Sequence, residues 1–290
     1  RGNLQLGVEE VKKMMRSLYS AASGMHAQQL NLDVISNNLA NVNTTGFKKS
    51  YVDFQSLFYQ TIRQAAISSS TGLNNFAVEV GNGVKVAATR TSFVDGGLQQ
   101  TGNPLDLAIE GKGFFMIQLP NGQVGFTRAG AFRLDSEGYL TNADGCRLLS
   151  SQGNASPETS ASLNGQDLKY IQPDTDALVV SIAPDGTVIT EKNVSNPPVL
   201  ELANFTNPEG LQAVGSSAYI LSEVCGEITI GQPATDAELG IIRSECLEAS
   251  NVSIVDEMIR MIMAQRAYEI GSKSIQTSDE MLGITNGLKR

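Results

Sequence analysis

SNNLANVNTTGFK, residues 36–48, is the stretch on which the reading of the fold turns. It closes an apolar helical run in Asn, Thr and Gly, residues that end helices and favour turns. Working backward, Leu18, Met25, Leu32 and Leu39 recur every seven residues, and Ala21, Gln28, Ile35 and Val42 follow three behind each. That 3-4 spacing puts both sets on one stripe of a helix over residues 16–43, in the manner of a coiled-coil seam. The same stripe equally suits the core of a monomeric bundle. Ala21, Ala22, Ser23 and Gly24 leave room for a close partner helix. Gly46 is expected as the helix C-cap, where glycine takes positive φ at little cost.

The far end mirrors this pattern. Around EMIRMIMAQRAYE (257–269), Ile254, Met261, Tyr268, Ile275 and Leu282 recur every seven residues, and Val255, Met258 and Ile262 widen the stripe. Ser253 and Asp256 read as a capping pair, and Asp256 and Glu257 suit the partial positive charge of a first helical turn. The second half of the stripe turns polar at Gln265, Ser272 and Asp279, so this seam needs partners on more than one side.

Between the two ends the pattern is β. Val78, Val80, Val84 and Val86 alternate around Gly81-Asn82-Gly83, which predicts a hairpin there. LDLAI (105–109), GFFMIQL (113–119), VLELANF (199–205) and AYILS (218–222) read as strands. Turns are expected at Pro120-Asn121-Gly122, Asp135 to Gly138 and Asn142 to Gly145. LVVSIAPDGTVIT (178–190) predicts a hairpin about Pro184-Asp185-Gly186, residues 61–75 a polar linker and residues 150–177 a surface excursion. The fold class is therefore α+β. Long N- and C-terminal helices pack as a coiled-coil-like pair, and a mainly antiparallel β domain lies between them. The expected segments are 1–14 (flexible), 15–46 (helix), 47–82 (extended linker), 83–230 (β domain), 231–246 (return) and 247–290 (helix). Two helices alone make a thin core and are marginal as a pair, so neighbouring subunits are expected to cover their other faces.

Composition narrows the function. The chain has 290 residues and a formal net charge of -9, which disfavours nucleic acid and anionic membrane as partners. No apolar run approaches the roughly 20 residues that span a bilayer. The opening RGNLQLGVEEVKKMMRSLYS lacks an apolar h-region, so no Sec signal peptide is read there, and Met14 or Met15 is a candidate start with residues 1–13 lying upstream of it. Cys146, Cys225 and Cys246 are widely spaced and read as free thiols, a Cys225–Cys246 bridge being the alternative. A nucleophilic hydrolase needs a base beside its nucleophile, and the one histidine, His26, sits on the N-terminal helix between apolar positions. No GxSxG, HExxH or GxxxxGK[ST] occurs, and Gly81-x-Gly83 and Gly111-x-Gly113 read as turns or bulges. Carboxylates are plentiful but no acid pair is singled out. No catalytic residue, metal or cofactor is assigned.

Three segments carry a family resemblance. LNLDVISNNLANVNTTGFKKSYVDFQSLFYQTIRQ (30–64) resembles the signature of the bacterial flagellar basal-body rod proteins. LEASNVSIVDEMIRMIMAQRAYEIGSKSIQTSDEML (247–282) is similar to that family's closing helix, and NPLDLAIEGKGFFMIQLPNGQVGFTRAGAFRLDSEGYLTNADG (103–145) to its β domain. FYQTIRQ, a polar stretch and VGNGVKV resemble the distal-rod branch. The resemblance implies a hollow rod crossing the periplasm, with terminal helices inside and β domains outside, that carries torque from motor to hook and passes later subunits. It implies export by the flagellar type III apparatus. The implied partners are further copies, proximal rod and hook subunits and the P- and L-ring bushing proteins. Nucleic acid and membrane insertion are not expected. A proximal rod or hook subunit is the alternative within the family, and a secreted coiled-coil scaffold or adhesin the alternative outside it. The expected assembly residues are Leu18, Met25, Leu32, Ile35 and Leu39 on the first helix. Ile254, Met258, Met261, Tyr268 and Ile275 serve on the second. Asn37, Asn38 and Asn41 are expected to hydrogen-bond between subunits, and Arg266 and Glu269 to pair within the helix or across subunits.

Overall fold

A computed structural model describes residues 2–63, 78–154, 161–163, 166–173, 180–190, 197–235 and 239–287, with side chains from residue 15 onward at the N-terminal end. Most of the expected linker at 61–75, and much of the excursion at 150–177, lie outside the described residues. The chain forms two units: Arg1–Leu39, Ser50–Arg90 and Ile254–Arg290 in the first, Ala40–Lys49 and Thr91–Ser253 in the second.

Unit 1 holds both long helices, α1 (Gly2–Ala40) and α2 (Ile254–Gly287). Asn38 of α1 reaches Glu257 of α2 at 3.4 Å, while Gly271 of α2 lies against Met25 of α1. Moving down α1 therefore moves up α2, and the two run antiparallel. Gly271 permits this approach, because a Cβ there would stand 2.7 Å from Met25 Cγ. The helical segment expected over 15–46 instead begins at Gly2 and stops at Ala40. Past Ala40 the Asn41–Thr44 turn takes over, closed by Thr44 N–H donating to Asn41 O at 3.1 Å and Thr44 Oγ1 to Asn41 Oδ1 at 3.2 Å.

The other described residues of unit 1 form a two-stranded ribbon built from β1 (Ser50–Ser56), β2 (Tyr59–Arg63), β3 (Val78–Gly81) and β4 (Val84–Thr91). The hairpin expected at Gly81-Asn82-Gly83 is not formed: β3 pairs with β2, and β4 pairs with β1. Residues 81–83 are a joint through which one strand continues, held by Leu57 N–H donating to Gly83 O at 3.0 Å. Glycine is needed at 83 because φ is +107° and a Cβ would stand 2.2 Å from Ser23 Oγ. The ribbon is pinned to α1 at three heights. Asn38 brackets Ser50 (2.8 and 2.9 Å), Ser23 Oγ accepts from Val84 N–H (3.4 Å), and Arg16 donates to Gln60 (3.3 Å). The first strand thus runs back along α1 toward its N-terminus.

Unit 2 begins with β5 (Leu98–Gln100) and β6 (Leu107–Glu110), followed by β7 (Phe114–Gln118) and β8 (Val124–Thr127). β7 and β8 are central in a nine-stranded sheet that also contains Leu148–Ser150, Leu202–Phe205 and Ala218–Ile220. Phe114, Phe115, Met116 and Ile117 are all buried. Side chains alternate across a strand, so Phe115 and Ile117 join one apolar cluster and Phe114 and Met116 the other. Both faces of the sheet are thereby covered, which explains a continuous rather than alternating apolar run. The expected turns close at Leu119–Gly122, Asp135–Gly138 and Asn142–Gly145, and Val180–Ile182 pairs with Val188–Thr190 as the expected hairpin. All three cysteines are free, so the alternative Cys225–Cys246 bridge is excluded.

Gly46, expected as the cap of the first helix, belongs to unit 2. Its φ of +67° is real, but its closest constraint is the chain at 128–129: a Cβ would stand 2.4 Å from Ala129 N.

Candidate assembly surface

The seam positions of α1 are placed together. Ile35 is buried, and Leu18, Met25, Leu32 and Leu39 are half-buried. Ala27, not singled out by the heptad, is buried with them. Asn38 is buried, and both ends of its amide are used inside the chain by Ser50, with Glu257 a further partner. An extended strand start needs a donor and an acceptor side by side, and within the chain this amide supplies both. Asn37 is exposed and Asn41 half-buried. His26 is exposed on the helix surface.

The geometry of α2 differs from its heptad. Its covered edge is small and polar: Glu257, Ala264 and Ser278 are buried, and Gly271 lies on the same seven-residue repeat. Met261 and Ile275 are half-buried beside that edge, whereas Ile254, Met258 and Tyr268 are exposed. Around them, Val255, Ile259, Ile262, Met263, Ile270 and Met281 are exposed too, Ile270 at 70%. Apolar residues at 258, 259, 261, 262 and 263 cannot share one stripe, and a helix apolar on most sides is a helix meant for burial. That run was the signal in the sequence for the faces the heptad missed. Arg266 and Glu269 are exposed and pair within the helix at 3.3 Å, a contact worth tenths of a kcal/mol. Between the helices, a groove of about 480 Å³ is lined by Ala21, Gly24, Phe54, Ala267 and Ile270. On the ribbon, Phe58 is 92% exposed.

A second constellation, in unit 2, had no signal beyond Lys48 closing the opening motif. Glu248 is buried and accepts from Lys48 Nζ at 2.5 Å and from Gly96 N–H at 2.8 Å on Oε1; Arg128 Nη1 lies 3.4 Å from Oε2. Lys48 Nζ also donates to Val94 O at 2.8 Å, and Arg128 Nη2 to Gly111 O at 2.8 Å. Asp95 meets Arg128 at 3.3 Å from the solvent side. Burial pushes the Lys48 ammonium below its ordinary range, and Glu248 pulls against that shift. Nearby, burial pushes the Tyr219 phenol up to about 12.

Among the described residues, no group of three metal-ligating side chains converges, and no helix is long and apolar enough to cross a membrane.

Comparison with known proteins gives three family matches in chain order. Residues 18–48 match the flagella basal body rod protein model, and residues 108–190 match the flagellar hook protein FlgE/F/G D1 domain. Residues 243–288 match the flagellar basal body rod FlgEFG protein C-terminal model. The chain is 44% identical over 282 residues to the flagellar basal-body rod protein FlgG of Borreliella burgdorferi, spanning 96% of this chain and 100% of that protein. It is 38% identical over 280 residues to FlgG of Bacillus subtilis, spanning 96% and 100%. It is also 47% identical over 138 residues to the flagellar hook protein FlgE of Treponema pallidum, spanning 47% of this chain and 29% of that protein.

Proposed function

The chain belongs to the flagellar basal-body rod protein family, and from that premise we propose that it is a structural subunit of the distal rod. Copies polymerise through α1 and α2 into a hollow shaft that carries torque from motor to hook and lets later subunits pass. The observation that carries this reading is the exposed apolar face of α2, from Val255 to Ile270. Each fully buried Ile or Met contributes roughly 1.5–3 kcal/mol, so covering such a face in a stack of copies drives assembly. A contact between unlike faces of identical chains repeats head to tail, and where its rotation does not close into a ring it generates an open helical filament. Leu18, Met25, Leu32, Ile35 and Leu39 hold α1 in place beneath that face; Ile254, Met258 and Tyr268 belong to the contact itself, with Asn37, Asn41, Arg266 and Glu269 at its rim. Proximal rod and hook subunits are the neighbours at the two ends. The P- and L-ring proteins are the bushing around the shaft as it crosses the periplasm, and the type III apparatus exports the chain. The role is mechanical, with no catalysis required. Similarity along nearly the whole length of rod proteins, against a minor part of a hook protein, favours the rod over the hook.

The test is electron microscopy and sedimentation of the full-length chain over a concentration series, with and without Ile262→Ser and Ile270→Ser. Tubes from the wild-type chain that the double variant cannot form support the reading. Equal assembly in both would remove α2's outer face from the interface.

A further inference from the structure

Every covalent path between the two units leaves unit 2 through a few residues: Lys49 leads to Ser50, Arg90 to Thr91 and Ser253 to Ile254, with Leu39 to Ala40 the fourth. The unit 2 stretches beside three of these exits, 46–49, 94–97 and 248–251, are held to one another largely by side chains. Glu248 takes Lys48 and Gly96 N–H on one oxygen, and its backbone O accepts from Gly46 N–H at 2.8 Å. Asn251 accepts from Lys49 N–H at 2.8 Å and donates to Ser92 O and Val94 O at 2.9 and 3.0 Å. Ala249 N–H donates to Gly97 O at 2.8 Å, and Asn251 N–H to Phe47 O at 3.4 Å. Arg128 reaches the core, its guanidinium lying 5.2 Å from the centroid of the Phe114 ring, whereas Lys48, Glu248 and Asn251 are held by polar partners. Phe93, packed on Phe114 at 5.2 Å, marks the border with the core.

We propose that the Lys48–Glu248–Arg128 cluster is a clasp that makes these three exit stretches one cooperative element, which opens as a whole and independently of the nine-stranded sheet. The titratable and charged groups facing it are Lys48, Asp95, Arg128, Tyr219 and Glu248. With Glu248 ionised the two cations meet two anions. With Glu248 neutral, two buried cations face Asp95 alone, which is half exposed. Leaving a buried charge unpaired is far costlier than never burying the pair, and water can relieve it from the side of the half-exposed Asp95, opposite the Phe114 ring on which Arg128 packs. Arg128 Nε, buried and without a hydrogen-bond partner, already makes this the least satisfied polar spot among the described residues. The clasp stands apart from the assembly reading, since it lies wholly in unit 2.

Hydrogen exchange on the full-length chain tests it. In Glu248→Gln the amides of Gly46, Lys49, Gly96, Ala249 and Asn251 are expected to exchange faster by one shared factor, on the order of 100-fold. The amides of Met116 and Leu149 in the sheet should keep their rates. Lys48→Gln, which leaves Arg128 to pair with Glu248, is expected to accelerate the same set by a smaller shared factor. Acceleration of Gly96 alone would overturn the proposal, because the stretches would then not be coupled. Acceleration of Met116 and Leu149 by the same factor, or loss of folding in both variants, would overturn it too, because the clasp would then be part of the core.

Discussion

Single residues in unit 2 are constrained in ways that predict their substitution. Gly46 combines a φ of +67° with backbone contact at Ala129. Gly46→Ala is therefore expected to cost at least about 1 kcal/mol from φ alone, plus the clash, read as a lower urea midpoint at unchanged slope. Tyr219 and Lys48 give alkaline pH dependences of opposite sign. The phenol of Tyr219 rises from the ordinary 10 to about 12, so the fold favours its protonated form. Its stabilising contribution is complete below pH 10 and is lost as pH climbs toward about 12. Lys48 is lowered from 10.5, so the fold favours its neutral form, and its burial cost is relieved as pH rises toward 10.5. Of these two groups Tyr219 alone still changes above 10.5, and Tyr219→Phe is expected to flatten the fall in thermal midpoint between there and about pH 12. An unchanged slope in the variant would assign the alkaline loss to other groups.

At the scale of elements, α2 carries two unlike faces, and they predict two unlike phenotypes. The covered edge of Glu257, Ala264, Gly271 and Ser278 is narrow because small residues let α1 approach closely. Gly271→Leu would drive a branched side chain into Met25, and is expected to destabilise unit 1 by about 1–3 kcal/mol. Circular dichroism of the dilute chain, followed through thermal unfolding, reads that loss. The outer face behaves otherwise. Ile270→Ser changes an exposed position and should move dilute-chain stability by no more than about 0.5 kcal/mol, yet weaken assembly measured by sedimentation. A large stability loss in Ile270→Ser would mean that this face is already covered in the free subunit. The ribbon explains why Gly81-Asn82-Gly83 misled. Alternation of Val78, Val80, Val84 and Val86 specifies extended chain, but it does not say which neighbour pairs with it. Pairing was decided by Leu57 and by the seat of Gly83 against Ser23.

At the scale of the whole molecule, the unit boundaries revise where the chain can be trimmed. Removing residues 1–39 and 254–290 leaves Gly46, Lys48, Glu248 and Asn251 in unit 2. Trimming to the expected segment limits at 47 and 246 takes away Gly46, Glu248 and Asn251. The longer form is expected to exceed the shorter by roughly 3 kcal/mol or more in urea unfolding, because the shorter one strands Lys48 and Arg128 without their buried partner. Equal stability would show that the cluster contributes little to unit 2.

Local features were legible in the order of the residues. Heptads at Leu18 to Leu39 specified a helix, the GFFMIQL run specified a strand, and Pro-Asp-Gly specified a hairpin, because periodicity and turn chemistry act over a few residues. The two-ended helical plan and the family were legible for the same reason. Tertiary structure alone decided that α2 turns a small-residue edge to α1 and its large apolar residues outward, that Asn38 serves as a strand partner, and that Gly46 fits against residues 128–129. It alone brought Lys48, Arg128 and Glu248 together. The Lys48–Glu248 contact joins residues 200 positions apart, and no local pattern encodes a partner that only the completed packing brings within reach.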